Sequence, residues 1–517
     1  MKKSFLLYCC FAAVAVSAQT NNESAQKFAD LINPKGLKEK LSVIASAEME
    51  GRETATPGQK RAAAYIEDQF KKFGLKPGNG DSYQQVYPVY QDELIDKKFQ
   101  VNGKTFVWDK DYTFSLQSLS NGDWTFNNVV FAGYGLVDSA KKINDFANLD
   151  LKGKIVMVLD GLPDNYAAPQ TQNGRRGFGG PGSANTKAMA ARTKGAIGLF
   201  VISKDFPKKI PTVTKGNMYL AKQAAGNSFL TASISEEIAA AILGGTTKMS
   251  STQLKETVKA DYVSEIKVVA NKTTVNLESS NVIGLLPGTD KKDEYVFLTG
   301  HYDHLGKRGD VIYYGADDDG SGTTSVLQMA EAFTTAARKG YKPRRTIVFM
   351  TVSGEEKGLW GSQYYSEHPI FPLEKTSVDL NTDMNGRIDT ERKLPDTLNY
   401  IYVIGHDKLS SELPIINEAA NNNYTKLTLD YKFDDPNDVN RIYYRSDHYN
   451  FARKGVPVLF FYDGMLQADY HKPTDTIEKI NFELMSKRVQ LVYYTAWDMA
   501  NRDNMLKRDT PLNMPNR

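Results

Sequence analysis

Apolar positions recur along the chain with two spacings, and each spacing predicts a different kind of element. Between residues 61 and 73, Ala62, Ile66, Phe70 and Phe73 fall three or four positions apart, which puts them on one face of an α-helix. Gly74 follows as a stop and Pro77 as a breaker. Shorter helices are predicted over 25–32 and 36–46, separated by Asn33-Pro34, and the stretch 48–57 reads as a loop. From about 127 to 269 short apolar runs alternate with glycine turns. Gly133-Tyr134-Gly135, the run 151–159, a glycine-rich loop over 173–182, a helix over 188–194 ended by Gly195 and a strand over 197–202 together predict a small inserted α/β domain.

From Asn281 onward the pattern becomes strand, loop, helix in series. Buried strands are predicted over 282–286, 295–299, 346–352, 377–380 and 456–461. Helices are predicted over 323–338 and in a closing segment carrying Phe482, Met485, Val489, Val492, Ala496 and Met499. This predicts an α/β fold, a mostly parallel mixed sheet with helices on both faces. In such sheets ligands sit beyond the C-terminal ends of the strands. The expected organisation is a leader over 1–18, an N-terminal part of the main domain over 19–112, an insert over 113–269, and the remainder of the main domain over 270–517.

The leader is predicted from Lys2 and Lys3, an apolar run over 5–16 too short to span a bilayer, and the small pair Ser17-Ala18. It predicts export to the periplasm or the medium. Both cysteines, Cys9 and Cys10, fall inside it, so the processed chain is expected to have neither thiol nor disulfide. Hydrophobic residues make up 41% and charged residues 24% of the chain, which suits a globular protein. The formal charge of +3 has no basic block behind it, so neither nucleic acid nor a membrane surface is expected as partner, and no later run reaches the length of a membrane span.

Chemistry enters at the ends of the predicted strands. Gly300-His301-Tyr302-Asp303-His304 follows one, Ser353-Gly354-Glu355-Glu356 another, and Asn381-Thr382-Asp383-Met384 a third. Gly315-Ala316-Asp317-Asp318-Asp319-Gly320-Ser321-Gly322 precedes the helix over 323–338, and Asp469-Tyr470-His471 stands near the C-terminus. Four of the chain's six histidines (His301, His304, His448 and His471) lie in this half near acidic residues, and imidazole with carboxylate suits zinc. Asp303 is placed to hold the far ring nitrogen of His301 and fix its tautomer. Taken singly, each piece has an ordinary alternative: a hydrogen-bonded histidine, a polar helix-capping turn, a solvated acidic pair, a surface loop. Five such pieces at strand ends are a much less ordinary combination.

Together these motifs resemble metallopeptidase family 28, the co-catalytic zinc aminopeptidases, over roughly 36–112 and 270–501. The stretch Glu48-Met49-Glu50-Gly51-Arg52 resembles that family's N-terminal segment, and the insert is similar to a protease-associated domain. The resemblance implies two zinc ions per chain bridged by Asp318, with His301 and Asp383 completing one site and Glu356 and His471 the other. It implies Glu355 as general base and a cis peptide between Asp318 and Asp319; Tyr470 is a candidate donor to the oxyanion. The expected function is removal of N-terminal residues from peptide substrates. The alternatives are a carboxypeptidase or a glutaminyl cyclase-like enzyme on the same fold, or a non-catalytic peptide-binding relative. Arg445-Ser446-Asp447-His448 also resembles the family, as a pocket wall or support for the ligands. Tyr443, Tyr444, Phe460, Phe461 and Tyr462 are candidates for either pocket wall or core. His368 and His406 read as structural, and the sequence leaves the oligomeric state open.

Overall fold

The computed structural model describes residues 24–116, 119–166, 180–220 and 229–514; the predicted leader and all but the end of the predicted glycine-rich loop lie outside the described residues. The chain divides into two compact units, one made of Met1–Pro88 and Glu278–Arg517 and the other of Val89–Leu277.

In the first unit, helix Pro34–Ile44 starts at the predicted break itself. Asn33 accepts a hydrogen bond from the Gly36 N–H at 3.0 Å, and Pro34 occupies the first turn, where its missing N–H costs nothing. Helix Pro57–Phe73 buries Ala62, Ile66, Phe70 and Phe73 and ends at Gly74, whose φ of 83° favours glycine. At the centre of the sheet, strands Arg345–Val352, Lys291–His301, Thr376–Thr382 and Val458–Tyr462 lie side by side and parallel. Antiparallel neighbours flank them, residues 282–286 against Arg345–Val352 and Tyr400–Ile404 against Val458–Tyr462.

The two faces of this sheet follow the period-two alternation of a strand. Val296, Leu298, Ile347 and Phe349 face a core shared with helices Gly322–Arg338 and Phe482–Asn501. Phe297, Val348 and Met350 face the opposite core, with Tyr365 of helix Trp360–Glu367 and Phe451 of helix His448–Ala452. Every residue from Arg345 to Val352 is buried, which is why that strand reads as a continuous apolar run.

The second unit has its own run of parallel strands. Gly122–Phe131, Ile155–Leu159, Gly198–Ile202 and Leu230–Ile234 pair parallel in chain order, with Tyr112–Phe114 antiparallel at the end. Its limits, 89 and 277, replace the expected 113 and 269. Leu94, Phe99, Val101 and Phe106 pack in the same core as Phe131, Ile155 and Phe200, so the segment before 113 belongs to the insert. The charges Glu93, Lys97 and Lys98, none of them buried, interrupt the strand Gln84–Val101 and hide its one-sided apolar pattern.

Candidate active site

The site lies at the C-terminal ends of the four parallel strands. His301 is the last residue of Lys291–His301 and pairs with Val352, three positions before Glu355. Asp383 follows Thr376–Thr382 directly. Asp318 lies in the loop before helix Gly322–Arg338, and Tyr470 and His471 in the loop after Val458–Tyr462. Residues up to 170 positions apart in sequence are therefore brought together by strand order rather than by local spacing.

His301 Nε2 lies 3.3 Å from Asp318 Oδ1, 3.6 Å from Asp383 Oδ1 and 3.8 Å from Glu355 Oε2. His471 Nε2 lies 3.2 Å from Asp318 Oδ2 and 3.0 Å from Glu356 Oε2. Asp318 thus reaches both histidines with different oxygens. The far nitrogen of His301, Nδ1, stands 3.1 Å from the Asp303 backbone carbonyl and 3.6 Å from its carboxylate. The backbone carbonyl rather than the carboxylate of Asp303 is the nearer partner; donating to it leaves Nε2 as the lone-pair nitrogen facing the carboxylates. The Asp303 carboxylate instead accepts from Thr54 Oγ1 at 2.6 Å and from the Glu355 N–H at 3.2 Å.

These groups fit divalent cations. His301 Nε2, Asp318 Oδ2 and Glu356 Oε1 are buried without hydrogen-bond partners, a costly state for polar atoms unless something else engages them. The donors are imidazole nitrogens and carboxylate oxygens, the set that zinc takes. Asp319 also lies near His301 and Asp383. Its oxygens, however, accept backbone N–H groups of His301, Gly322 and Met384 at 3.0, 2.7 and 3.1 Å, so it ties three ligand-bearing segments together. A third cluster, His406, Asp407 and Asp434, already has a cation, because Lys408 Nζ lies 3.2 Å from Asp434 Oδ1.

Supporting residues to which the sequence assigns no role complete the frame. Arg52, fully buried, donates to the carbonyls of Tyr302, Ile44, Tyr314 and Gly315 at 2.7–2.9 Å. A buried guanidinium without partners would cost several kcal/mol, on the order of a lost buried ion pair, so these bonds hold the 48–52 segment in place. Asp475 accepts from the N–H groups of Asp317 and Asp318, at 3.1 Å each. Asp317 turns away and accepts from the Gly386 N–H at 2.9 Å. The peptide between Asp318 and Asp319 is cis.

Adjacent Glu355 and Glu356 have opposite electrostatics. Burial raises the Glu355 carboxyl well above the usual range; His301 opposes this, while Asp383 and Glu356 add to it. Burial and Asp318 push Glu356 up as well, but His304 and His471 outweigh them and hold it down to about 2. Among the protein groups alone, burial depresses His471, yet Asp318 and Glu356 raise it to about 10. Neighbouring carboxyls pushed apart in this way mark a division between a proton-transfer group and a fixed anion.

A cavity beside the donors is lined by Glu355, Met384, Arg445, Phe460, Tyr462 and Tyr470 among others. Phe460 and Tyr462 face it, whereas Phe461, between them, points into the opposite core. Tyr443 and Tyr444 pack against Tyr449 instead. Arg445 donates to the Tyr470 hydroxyl at 2.9 Å, and burial keeps that phenol protonated by raising it well above its ordinary value. Asp447 accepts from Ser362 Oγ at 2.5 Å, and its carboxyl is raised to about 7, chiefly by burial. His448 stacks on Phe460, and burial lowers it to about 3, so it is a neutral core ring. His368 packs on Tyr364, and His406 bonds Asp434.

Residues 281–496 match the family model described as Peptidase family M28. Among curated proteins, a probable leucine aminopeptidase of Arthroderma otae is 27% identical over 237 residues, 45% of this chain and 60% of that protein. A probable zinc metalloprotease of Pyrenophora tritici-repentis is 26% identical over 299 residues, 49% of this chain and 58% of that one. The chain thus spans less than two thirds of the length of these relatives. Among solved structures, an aminopeptidase from Aneurinibacillus sp. strain AM-1 aligns with a TM-score of 0.53 at 20% identity, covering 95% of this chain and all of that one. A zinc aminopeptidase from Bacillus subtilis aligns with a TM-score of 0.51 at 20% identity, over 92% and 98%. These alignments show that the chain has the fold of those proteins.

Proposed function

We propose that the protein, whose residues 281–496 match the model of Peptidase family M28, is a zinc-dependent aminopeptidase that releases N-terminal residues from peptides. The observation that carries the reading is the convergence of His301, Asp318, Glu356, Asp383 and His471 around one shared aspartate, with Glu355 beside them. In this reading Asp318 would be shared by two zinc ions, His301 and Asp383 would help hold one of them and Glu356 and His471 the other. Bound there, the ions would supply Lewis acidity and bring the pKa of a water between them toward ~7.

The chain's own groups divide the remaining work. Glu355 takes the proton from the attacking water and returns it to the departing amine, for which a carboxyl raised by burial is suited. Tyr470 donates its O–H to the oxygen that gains charge, while Arg445 occupies the hydroxyl's acceptor side and orients it. Asp303 fixes His301 through its carbonyl and the Glu355 backbone through its carboxylate. Phe460, Tyr462 and Met384 give the cavity an apolar wall for the side chain being removed.

Arg445 is a cation at the cavity, and it keeps the rival reading of C-terminal trimming open to direct test. Release of amino acids is measured from matched peptides with free and acetylated N-termini, with and without a chelator. The aminopeptidase reading expects release from the free N-terminus alone, abolished by chelation and restored by zinc. Release from the acetylated peptide at a comparable rate would overturn it in favour of carboxypeptidase action. The lysine-led apolar segment at the N-terminus supports export to the periplasm or medium as the place of action, tested by fractionating cells that express the protein.

A further inference from the structure

The proposed centre leaves one neighbouring imidazole without a role. His304 has no exposed surface, and neither of its ring nitrogens has a hydrogen-bond partner. Its Nδ1 lies 2.8 Å from Glu356 Oε1 and 3.9 Å from Asp318 Oδ2, and both of those oxygens are themselves buried without hydrogen bonds. Close as they are, neither His304 Nδ1 nor Glu356 Oε1 makes a hydrogen bond. Three polar atoms of two chemical kinds therefore converge with their bonding capacity unused. Donors sharing one zinc at ~2.0–2.2 Å stand about 3–3.5 Å from one another, a range that the 2.8 and 3.9 Å separations bracket.

The ring is held in this position. His304 begins where its backbone N–H meets the Arg52 carbonyl at 3.3 Å. Its ring lies against Gly315, where a Cβ would come within 2.4 Å of it. Gly315 has a φ of 54°, so glycine serves there both the backbone and the space the imidazole fills. On the far side the ring meets His471 edge-on, with centroids 6.0 Å apart. His448 also lacks hydrogen bonds at both ring nitrogens, but His448 stacks on Phe460, whereas His304 turns Nδ1 toward two carboxylate oxygens that are themselves unbonded.

We propose that His304 is a further metal-ligating residue, giving the cation held by Asp318, Glu356 and His471 a second imidazole that the His301–Asp383 side lacks. This rests on the zinc reading above and extends it. The two sites are then unequal. The side with two imidazoles holds its ion more tightly and fills first, while the other side, next to Glu355, is the more readily exchanged.

The test is zinc-edge X-ray absorption on the full wild-type protein, loaded with one and then two equivalents of zinc. The proposal expects two imidazoles on the first ion and three over the pair. One imidazole on the first ion, or two over the pair, overturns it. Equilibrium dialysis of His304→Ala and His304→Gln against zinc buffers supplies a second readout. The tighter site should weaken at least tenfold in both variants and the weaker site should stay within about threefold; unchanged binding at both sites also overturns it. Wild-type protein that takes up two ions with one imidazole each would sink the His304 assignment and leave the aminopeptidase reading standing. Protein that takes up no zinc would sink both.

Discussion

Each of the two units contains four parallel strands, yet among the described residues only one unit has a cluster of ligating groups at its strand ends. In the insert the parallel strands Gly122–Phe131, Ile155–Leu159, Gly198–Ile202 and Leu230–Ile234 are laid down in chain order, each beside the last. In the other unit the chain runs from Lys291–His301 to Arg345–Val352, then crosses back to place Thr376–Thr382 and Val458–Tyr462 on the other side of the first strand. Winding reverses at the strand that ends in His301. Reversal sends the connections on either side to opposite faces and opens a crevice at the strand ends, where ligands of such sheets bind. The insert's strands never reverse. Among the described residues, every group able to hold a metal ion lies in the unit with the reversal. A parallel sheet alone does not make a site; the order in which it is wound decides where one forms.

The largest effect expected on the reversal side comes from Glu355. Glu355→Ala should lose at least ~100-fold in turnover, the usual contribution of a general base, while still binding zinc. Steady-state kinetics and metal analysis on the same sample check both parts, and near-normal turnover would remove Glu355 from the reaction. Tyr470→Phe comes next. Losing one donor to the developing oxyanion should lower kcat by up to ~100-fold with little change in KM. A KM effect alone would make Tyr470 a wall of the cavity.

Much of this was legible in the sequence, for a physical reason. His301, Glu355, Glu356 and Asp383 each stand within a few residues of a buried, nearly unbroken apolar strand, so the change from apolar to charged marked the strand end. Asp319, Arg52 and Asp475 were not legible, because their partners are backbone groups far away in sequence, and a backbone N–H leaves no mark on a side-chain pattern. Asp447 stood in a recognisable motif, but its partner Ser362 comes from another helix. The insert's first strand was missed because its exposed face carries charges that read as loop.

On the insert side the expected effects are smaller and confined to stability. Lys187 is buried with its Nζ donating to the carbonyls of Leu159 and Gly161 at 2.7 Å, a cation spent on capping a strand end rather than on a ligand. Lys187→Met leaves both carbonyls unpaired and should destabilise the protein by about 1–3 kcal/mol in denaturant unfolding, with zinc content unchanged. Lost zinc in this variant would break the comparison.

A pH-dependent effect, read as a slope rather than a step, sharpens the contrast between the two cores. Beneath the site, Asp379 is wholly buried, accepts one hydrogen bond from Thr299 Oγ1 at 2.7 Å, and has its carboxyl pushed up to about 8 by burial. In the unfolded chain the same group titrates near 3.9. The folded state therefore holds the extra proton, and stability falls as pH rises from about 4 to about 8, then levels. Asp379→Asn cannot lose a proton, so its stability should fall less steeply across that window, by up to ~1.4 kcal/mol per pH unit. Parallel slopes for chelator-treated wild type and variant would show that Asp379 is ionised in the fold.

The central proposal is that peptide cleavage requires zinc held by the residues gathered at the reversal. It is tested most directly by titrating metal-stripped protein with zinc and measuring, at each point, bound zinc per chain and release of the N-terminal residue from one unblocked peptide. The account predicts negligible release without metal and a rise that reaches its plateau at two zinc ions per chain. Full release from metal-stripped protein, or none with two ions bound, would contradict it.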